Sequence, residues 1–374
     1  MVVLIYGVAC GGAAGTAGPA TIPSGGFDLT SEDLQAALGS PPPDDITWQR
    51  TAGELTVVGR GTTPDPDEID LIAAVARDVP GTLWDQVALR TVVRFADAPG
   101  TRVPHERPIA YALGPDIYLL DRAFALSSDG SSRYELARAF VHELVHVAQF
   151  YSMSDDYVAA ALAGRTEAVD PTIGSVLVAE FADATGWQPA GDSPAEGWLL
   201  PDSVAASSPY GRTSAGEDMA EAVSLVAVGL PDLVPDDRVR WVERWLGVSA
   251  DRLAQGRPWA PAGSVQVLSA DRLYDEDRVA AAGFDRTHIE PLYFELPAGL
   301  ADADTVASQI TARLLGRGMS GSLTRINDDR LRRFGGAFAG PKGLTWWVEL
   351  WDFRERPAGT TGPKNPVLTY VALW

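Results

Sequence analysis

The stretch that decides this chain is AFVHELVHVAQF, residues 139–150. It sets His142 and His146 four residues apart, with Glu143 directly after the first. On an α-helix such residues lie on one face about one turn apart, so both imidazoles can reach a single metal ion. Glu143 stands beside that point, placed to take a proton from a water that zinc has made acidic. This is the HExxH logic of zinc peptidases. With only 4 histidines in 374 residues, the pattern is a specific signal. The bland alternative is a buried histidine pair satisfied by hydrogen bonds on a helix that also carries Phe140, Val141, Val145 and Val147.

Catalytic zinc takes three protein ligands and keeps one position for water. The extended form HExxHxxGxxH is absent, because Gln149 stands at the glycine position and Ser152 at that of the third histidine. That excludes a metzincin. His105 lies in the proline-flanked loop RVPHERP and His288 far downstream, so a carboxylate from a later helix is the better expectation. Glu217 and Glu221 sit one helical turn apart in EDMAEAV, behind a capping stretch TSAG in which Thr213 or Ser214 can satisfy free N–H groups. Rivals are Glu180 and Asp183 in VLVAEFADATGW, with Trp187 near enough to line a pocket, and Asp218 beside Glu217.

The segment SPYGRTSAGEDMAEAV, residues 208–223, together with HELVH, resembles the active site of the anthrax lethal factor family of zinc peptidases. In that family a Tyr-Gly-Arg-Thr segment leads, seven residues after the tyrosine, to a zinc-binding glutamate, with Ala-Glu following. Here Tyr210, Gly211, Arg212 and Thr213 precede Glu217, and Ala220-Glu221 completes the pattern. The resemblance implies His142, His146 and Glu217 as ligands of Zn2+. It also implies Tyr210 as donor to the oxyanion, and Glu221 as the carboxylate that orients a ligand histidine. It covers roughly residues 60–245 and departs in the separation of Glu217 from His146, 71 residues, which is longer than that family leads one to expect.

Outward from the motif, the fold class expected is α+β. A zincin-like metallopeptidase domain spans 29–263: helix, strands, the HExxH helix, then a helical lower lobe. A smaller α+β C-terminal module spans 264–374. ITWQRTAGELTVVG reads as a β-hairpin, TPDPDEIDLIAAVARDVP as a helix, and LRTVVRF, IAYAL and DIYLLD as strands. SRYE offers a capping box with Ser132 as N-cap of the HExxH helix. DIYLLD is expected as the edge strand along the cleft, pairing with an extended peptide. In the C-terminal module, LTWWVELWDF is either a strand buried on both faces or an exposed aromatic platform.

A net charge of −20 makes nucleic acid and anionic membrane surfaces poor partners. Residues 1–28 hold a short apolar run, the lone cysteine Cys10 and a Gly/Ala/Ser/Pro stretch. They read as the remnant of a bacterial lipoprotein signal and its tether. The expected setting is therefore extracellular or cell-surface, with the membrane reached only through a lipid anchor at Cys10. The reading is a zinc metallopeptidase acting on a peptide or protein substrate. Two alternatives stay open: a non-catalytic binding protein on a zincin fold, and a surface interaction protein working through its Trp-rich C-terminal module.

Overall fold

The computed structural model describes residues 46–52, 55–60, 62–87, 89, 91–95, 109–124, 133–154, 157, 171–191, 197–267, 274–283, 289–326, 332–341, 345–354 and 365–373. The leader with Cys10, the cap at Ser132, and both His105 and His288 lie outside the described residues. The chain is α+β and divides into two compact units. The first takes the described residues within Met1–Leu126, Glu135–Ser224 and Val234–Val248; the second takes those within Ser127–Tyr134, Leu225–Leu233 and Ser249–Trp374. No helix of the described residues is long and apolar enough to cross a membrane.

In the first unit, strands β1 (Ile46–Ala52) and β2 (Leu55–Arg60) form the expected antiparallel hairpin. Helix α1 (Pro66–Asp78) follows, started by a capping box in which the Asp65 backbone N–H donates to Glu68 Oε2 at 3.1 Å. Proline in its first turn costs nothing, since that N–H has no helical partner. Strands β3 (Thr91–Phe95), β4 (Ala110–Leu113) and β5 (Asp116–Leu119) complete a five-stranded sheet in the order β1-β2-β3-β5-β4. β2, β3 and β5 run parallel, and β4 is antiparallel to β5.

This order corrects one expectation. β5, within DIYLLD, is interior and buried along its whole length, and the edge strands are β4, beside it, and β1 at the far side. The register Val57↔Val92↔Ile117 sets one row of fully buried side chains on one face of the sheet. Val58, Val93 and Tyr118 make a second cluster on the other face, with Phe95, Tyr111 and Leu113 packed against it. A strand whose two faces are both covered reads as a continuous apolar run, as Ile117 to Leu120 does. Arg94 fastens β3 to its surroundings: its guanidinium lies 3.0 Å from Glu68 of α1 and 2.7 Å from Asp121, and stacks on Phe124.

Helix α2 (Arg133–Tyr151) carries HELVH. Helix α3 (Val176–Thr185) starts at Ser175, whose hydroxyl accepts from the Val178 N–H, and ends at Gly186 with φ +81°. A two-residue ladder, β6 (Gln188–Pro189) with β7 (Trp198–Leu199), precedes a single 3₁₀ turn at Gly211–Thr213. Helices α4 (Ala215–Ala227) and α5 (Asp236–Leu246) follow.

The second unit is built on an antiparallel sheet of β8 (Val265–Val267), β9 (Ile289–Glu295), β10 (Ser320–Gly321), β11 (Thr324–Ile326), β12 (Arg332–Ala339), β13 (Thr345–Asp352) and β14 (Val367–Leu373). The order is β10-β12-β13-β14-β9-β8, with β11 also pairing β12. Helices α6 (Glu276–Ala281) and α7 (Ala303–Gly316) are each opened by an aspartate, Asp275 and Asp302, whose carboxylate accepts a first-turn N–H. Strand β13 is buried on both faces, so the exposed aromatic platform is not there. Trp346 packs edge-on against Tyr370 and donates to the Gly256 carbonyl. Trp347 donates to the fully buried Glu349, and the Arg333 guanidinium covers the Trp351 ring at 3.8 Å.

Candidate metal centre

The site belongs wholly to the first unit and is made by two helices, α2 and α4. His142 and His146 face the same side of α2 because they are four residues apart, and Glu217 comes from the first turn of α4. That turn is capped by Ser214, whose Oγ accepts from the Glu217 N–H at 3.1 Å, one of the two capping residues expected. The other, Thr213, instead donates its hydroxyl to the Tyr210 carbonyl.

The donor atoms form a triangle. His142 Nε2 lies 3.0 Å from Glu217 Oε2, His146 Nε2 lies 3.1 Å from His142 Nε2, and His146 Nε2 lies 3.4 Å from Glu217 Oε2. A tetrahedral ion with donors at about 2.0–2.1 Å requires donor separations of about 3.3–3.4 Å. Two imidazoles and one carboxylate are also a donor set that suits zinc. The residues present therefore fit a three-ligand metal site. Among the described residues, His142, His146 and Glu217 form a group able to hold a metal ion, and neither Glu180 nor Asp183 belongs to it. Asp183 is exposed on α3. Asp218 is fully buried but turned to other partners: it accepts from Trp187 Nε1, the Ser207 N–H and Arg238 Nε at 2.7–2.9 Å. Trp187 accordingly braces this network and does not line an open pocket.

Each imidazole is oriented from behind. His142 Nδ1 lies 3.2 Å from Glu221 Oε1, and the Glu221 carboxylate is held in turn by Arg138 Nη2 at 2.9 and 2.7 Å. The side chain of Ser208 donates to Glu221 as well. His146 Nδ1 lies 2.8 Å from Gln149 Oε1. Such outer partners fix ring orientation and raise ligand basicity. The role expected of Glu221 thus has its geometry, whereas Arg138 and Gln149 were not foreseen. Their signal was present all the same: positions 138, 142, 146 and 149 follow the helical period and share one face.

The electrostatics follow from packing three carboxylates and two imidazoles together out of water. Burial works to lower the His142 imidazole, but its hydrogen bonds to Glu217 and Glu221 outweigh this and push it up to about 10. His146 is raised as well, against its burial, chiefly by the Glu217 charge. Burial would raise the Glu217 carboxyl, yet His146 and His142 hold it well below the usual carboxylate range. Glu221 is lowered in the same way, mainly by the Arg138 charge. Imidazoles shifted toward their protonated form thus face carboxylates shifted toward their ionised form.

Glu143 differs from its neighbours. Desolvation raises its carboxyl against the pull of His142 and His146, and it accepts a hydrogen bond from the Ala112 backbone N–H of edge strand β4. Its carboxylate is thus held by the strand at the end of the sheet while it stays within reach of the His142, His146 and Glu217 charges. Tyr210 stands opposite, 47% exposed, its ring centroid 5.9 Å from that of His142. Burial of its hydroxyl, the Glu217 charge and a hydrogen bond to Glu217 keep the phenol protonated well above the ordinary tyrosine range. The backbone of the next residue approaches α4 so closely that a Cβ at Gly211 would lie 3.1 Å from Asp218 Cα. Glycine is what lets the tyrosine loop lie on that helix.

No protein-family model, no curated protein and no solved structure matches this chain.

Proposed function

We propose that this chain is a zinc-dependent metallopeptidase of gluzincin type, with a zincin-like first unit. The observation that carries the reading is the triangle of His142, His146 and Glu217 donors, beside a glutamate on the same helix that is not one of them. A purely structural metal site has no need of a carboxylate such as Glu143 in that place.

When bound, zinc supplies Lewis acidity, which makes a water nucleophilic near neutral pH and polarises a carbonyl. His142, His146 and Glu217 would hold it. Glu143 takes the proton of the attacking water and returns it to the departing amine; burial raises its carboxyl, which favours its accepting that proton. Tyr210, kept as a neutral phenol, donates a hydrogen bond to the oxyanion of the tetrahedral intermediate. Glu221 with Arg138 behind it, and the Ser214 cap under Glu217, keep the ligands in place. Edge strand β4, bonded through Ala112 to Glu143, is the backbone against which an extended peptide or protein substrate lies. Export, with the leader at residues 1–28 as the address and Cys10 as a lipid attachment point, completes the reading. The Trp-rich strand β13 is buried, so nothing favours it as a separate interaction surface.

The test is metal content and peptide hydrolysis of wild type, Glu143→Gln and Glu217→Ala. The expected result is one zinc per wild-type chain, lost from Glu217→Ala. Glu143→Gln should retain the metal but hydrolyse peptides about 10²–10⁴-fold more slowly. A wild-type protein that takes up no zinc when it is offered, or a Glu143→Gln protein as active as wild type, overturns the proposal.

A further inference from the structure

We infer that Gln149 is a positioning residue of the metal centre, fixing the tautomer of His146 and registering that imidazole to the helix that carries Glu217. The inference rests on the metal-centre reading above and adds to it a residue in neither the ligand set nor the proton path.

Gln149 is fully buried, three residues after His146 on α2. Its Nε2 donates to the Gly216 carbonyl at 2.9 Å and touches Met219 Sδ at 3.7 Å; its Oε1 lies 2.8 Å from His146 Nδ1. The two ends of an amide are told apart by their partners. A backbone carbonyl only accepts, so Gly216 dictates that the NH2 end faces α4 and the oxygen faces His146. With a carbonyl oxygen at that distance, His146 Nδ1 must carry the hydrogen. The Nε2 of the ring is then the atom left to present a lone pair, and Nε2 is the corner of the ligand triangle. One amide therefore links Gly216, the residue before Glu217, to the His146 ring and fixes which of its nitrogens faces the ligand triangle.

An amide in this position also differs from the carboxylate that serves His142. Glu143, Glu217 and Glu221 already place three acids in the site, and Arg138 offsets one of them. With a dication bound, those charges balance. A fourth buried carboxylate would leave an excess, which is costly out of water. Gln149 supplies an acceptor for Nδ1 without adding charge, while its other end ties together helices whose contact here spans 67 residues of sequence.

Zinc affinity, read by competition with a chromophoric chelator, tests this on the full chain alongside the melting temperature of the metal-free protein. Gln149→Leu removes both hydrogen bonds at similar volume and is expected to bind zinc about 10–100-fold more weakly, with the metal-free melting temperature lowered by no more than a few degrees. Gln149→Glu keeps an acceptor toward Nδ1 but turns an oxygen toward the Gly216 carbonyl, and its affinity should fall between wild type and Gln149→Leu. Wild-type affinity in Gln149→Leu overturns the inference while leaving the metal centre standing, and so does a Gln149→Glu protein no tighter than Gln149→Leu. A wild type without zinc overturns the metal centre and this inference together.

Discussion

Replacing Arg238 by methionine should be among the most damaging single changes in the first unit, although Arg238 touches no ligand of the site. Its side chain and that of Asp218 are both fully buried, with Nη2 and Nε at 2.8 and 2.9 Å from Asp218 Oδ2. Nη1 lies 3.2 Å from the Thr185 carbonyl and 3.1 Å from Asp237. Removing one partner of a buried pair costs about 3–5 kcal/mol, because the other charge stays in a low-dielectric surrounding uncompensated. Asp218 would keep two donors, Trp187 Nε1 and the Ser207 N–H. That places the expectation at the lower end, about 3 kcal/mol, or roughly a 150-fold shift in the unfolding equilibrium at about 1.4 kcal/mol per decade. Urea unfolding followed by tryptophan fluorescence measures it, with hydrogen exchange across residues 205–227 as the local readout. The double change Asp218→Asn with Arg238→Met removes the stranded charge and leaves an amide oxygen for one of the two remaining donors, and should recover part of the loss. A cost below about 1 kcal/mol for Arg238→Met, or a double variant weaker than the single, would refute the reasoning.

Three further outcomes are expected. Glu221→Gln should weaken zinc binding about 10–100-fold by loosening His142, and Arg138→Met should weaken it less; equal affinity in both and in wild type would show that the rear support of His142 is idle. Gly336→Ala should destabilise the second unit by about 1–3 kcal/mol, since a Cβ there would meet the Ser322 carbonyl oxygen at 2.0 Å; an unchanged circular-dichroism melt would count against the packing of β12. Burial works to raise the Asp275 carboxyl, but the Arg278 N–H and the Arg333 charge hold it below its ordinary 3.8. Its contribution to stability is thus full above that value and is lost as pH falls through the depressed one. Asp275→Asn should melt lower at pH 7 and vary less between pH 5 and pH 3, and equal pH slopes in the two proteins would argue otherwise.

Local spacing made the first half of the site legible. His142, Glu143 and His146 are a short-range pattern on a single helix, and their geometry depends on little beyond that helix forming. Glu217 was another matter. Its pairing with the histidines is long-range, and helical period alone left Glu180 and Asp218 in contention; the tyrosine-to-glutamate spacing of a known family singled it out. Asp218 shows why the residues could not decide, since two adjacent acids on one helix face different ways, one to imidazoles and one to a buried arginine. The sheet was legible as strands but not as an order. Gly114-Pro115 indicates that β4 and β5 pair, yet says nothing about which lies outside. The apolar residues on both faces of IYLL were the available clue, and the same clue in β13 pointed correctly to a buried strand.

The bonds that join α2 to α4 have a consequence for how this chain tolerates change in length. Gln149 to Gly216, Arg138 to Glu221 and the ligand triangle itself set the register between the two helices side chain by side chain. The connection between the end of α2 at Tyr151 and the tyrosine loop that begins at Ser208 therefore acts as a tether whose length the ligand triangle does not read. The entropy of closing such a tether grows only with the logarithm of its length, so insertions there are far cheaper than one added residue inside Ala215–Glu221. A single insertion in that turn would rotate Glu217 and Glu221 about 100° apart in facing and uncouple both imidazoles at once. Variation in this protein should accordingly gather between the two helices and be nearly absent within their first shared turns.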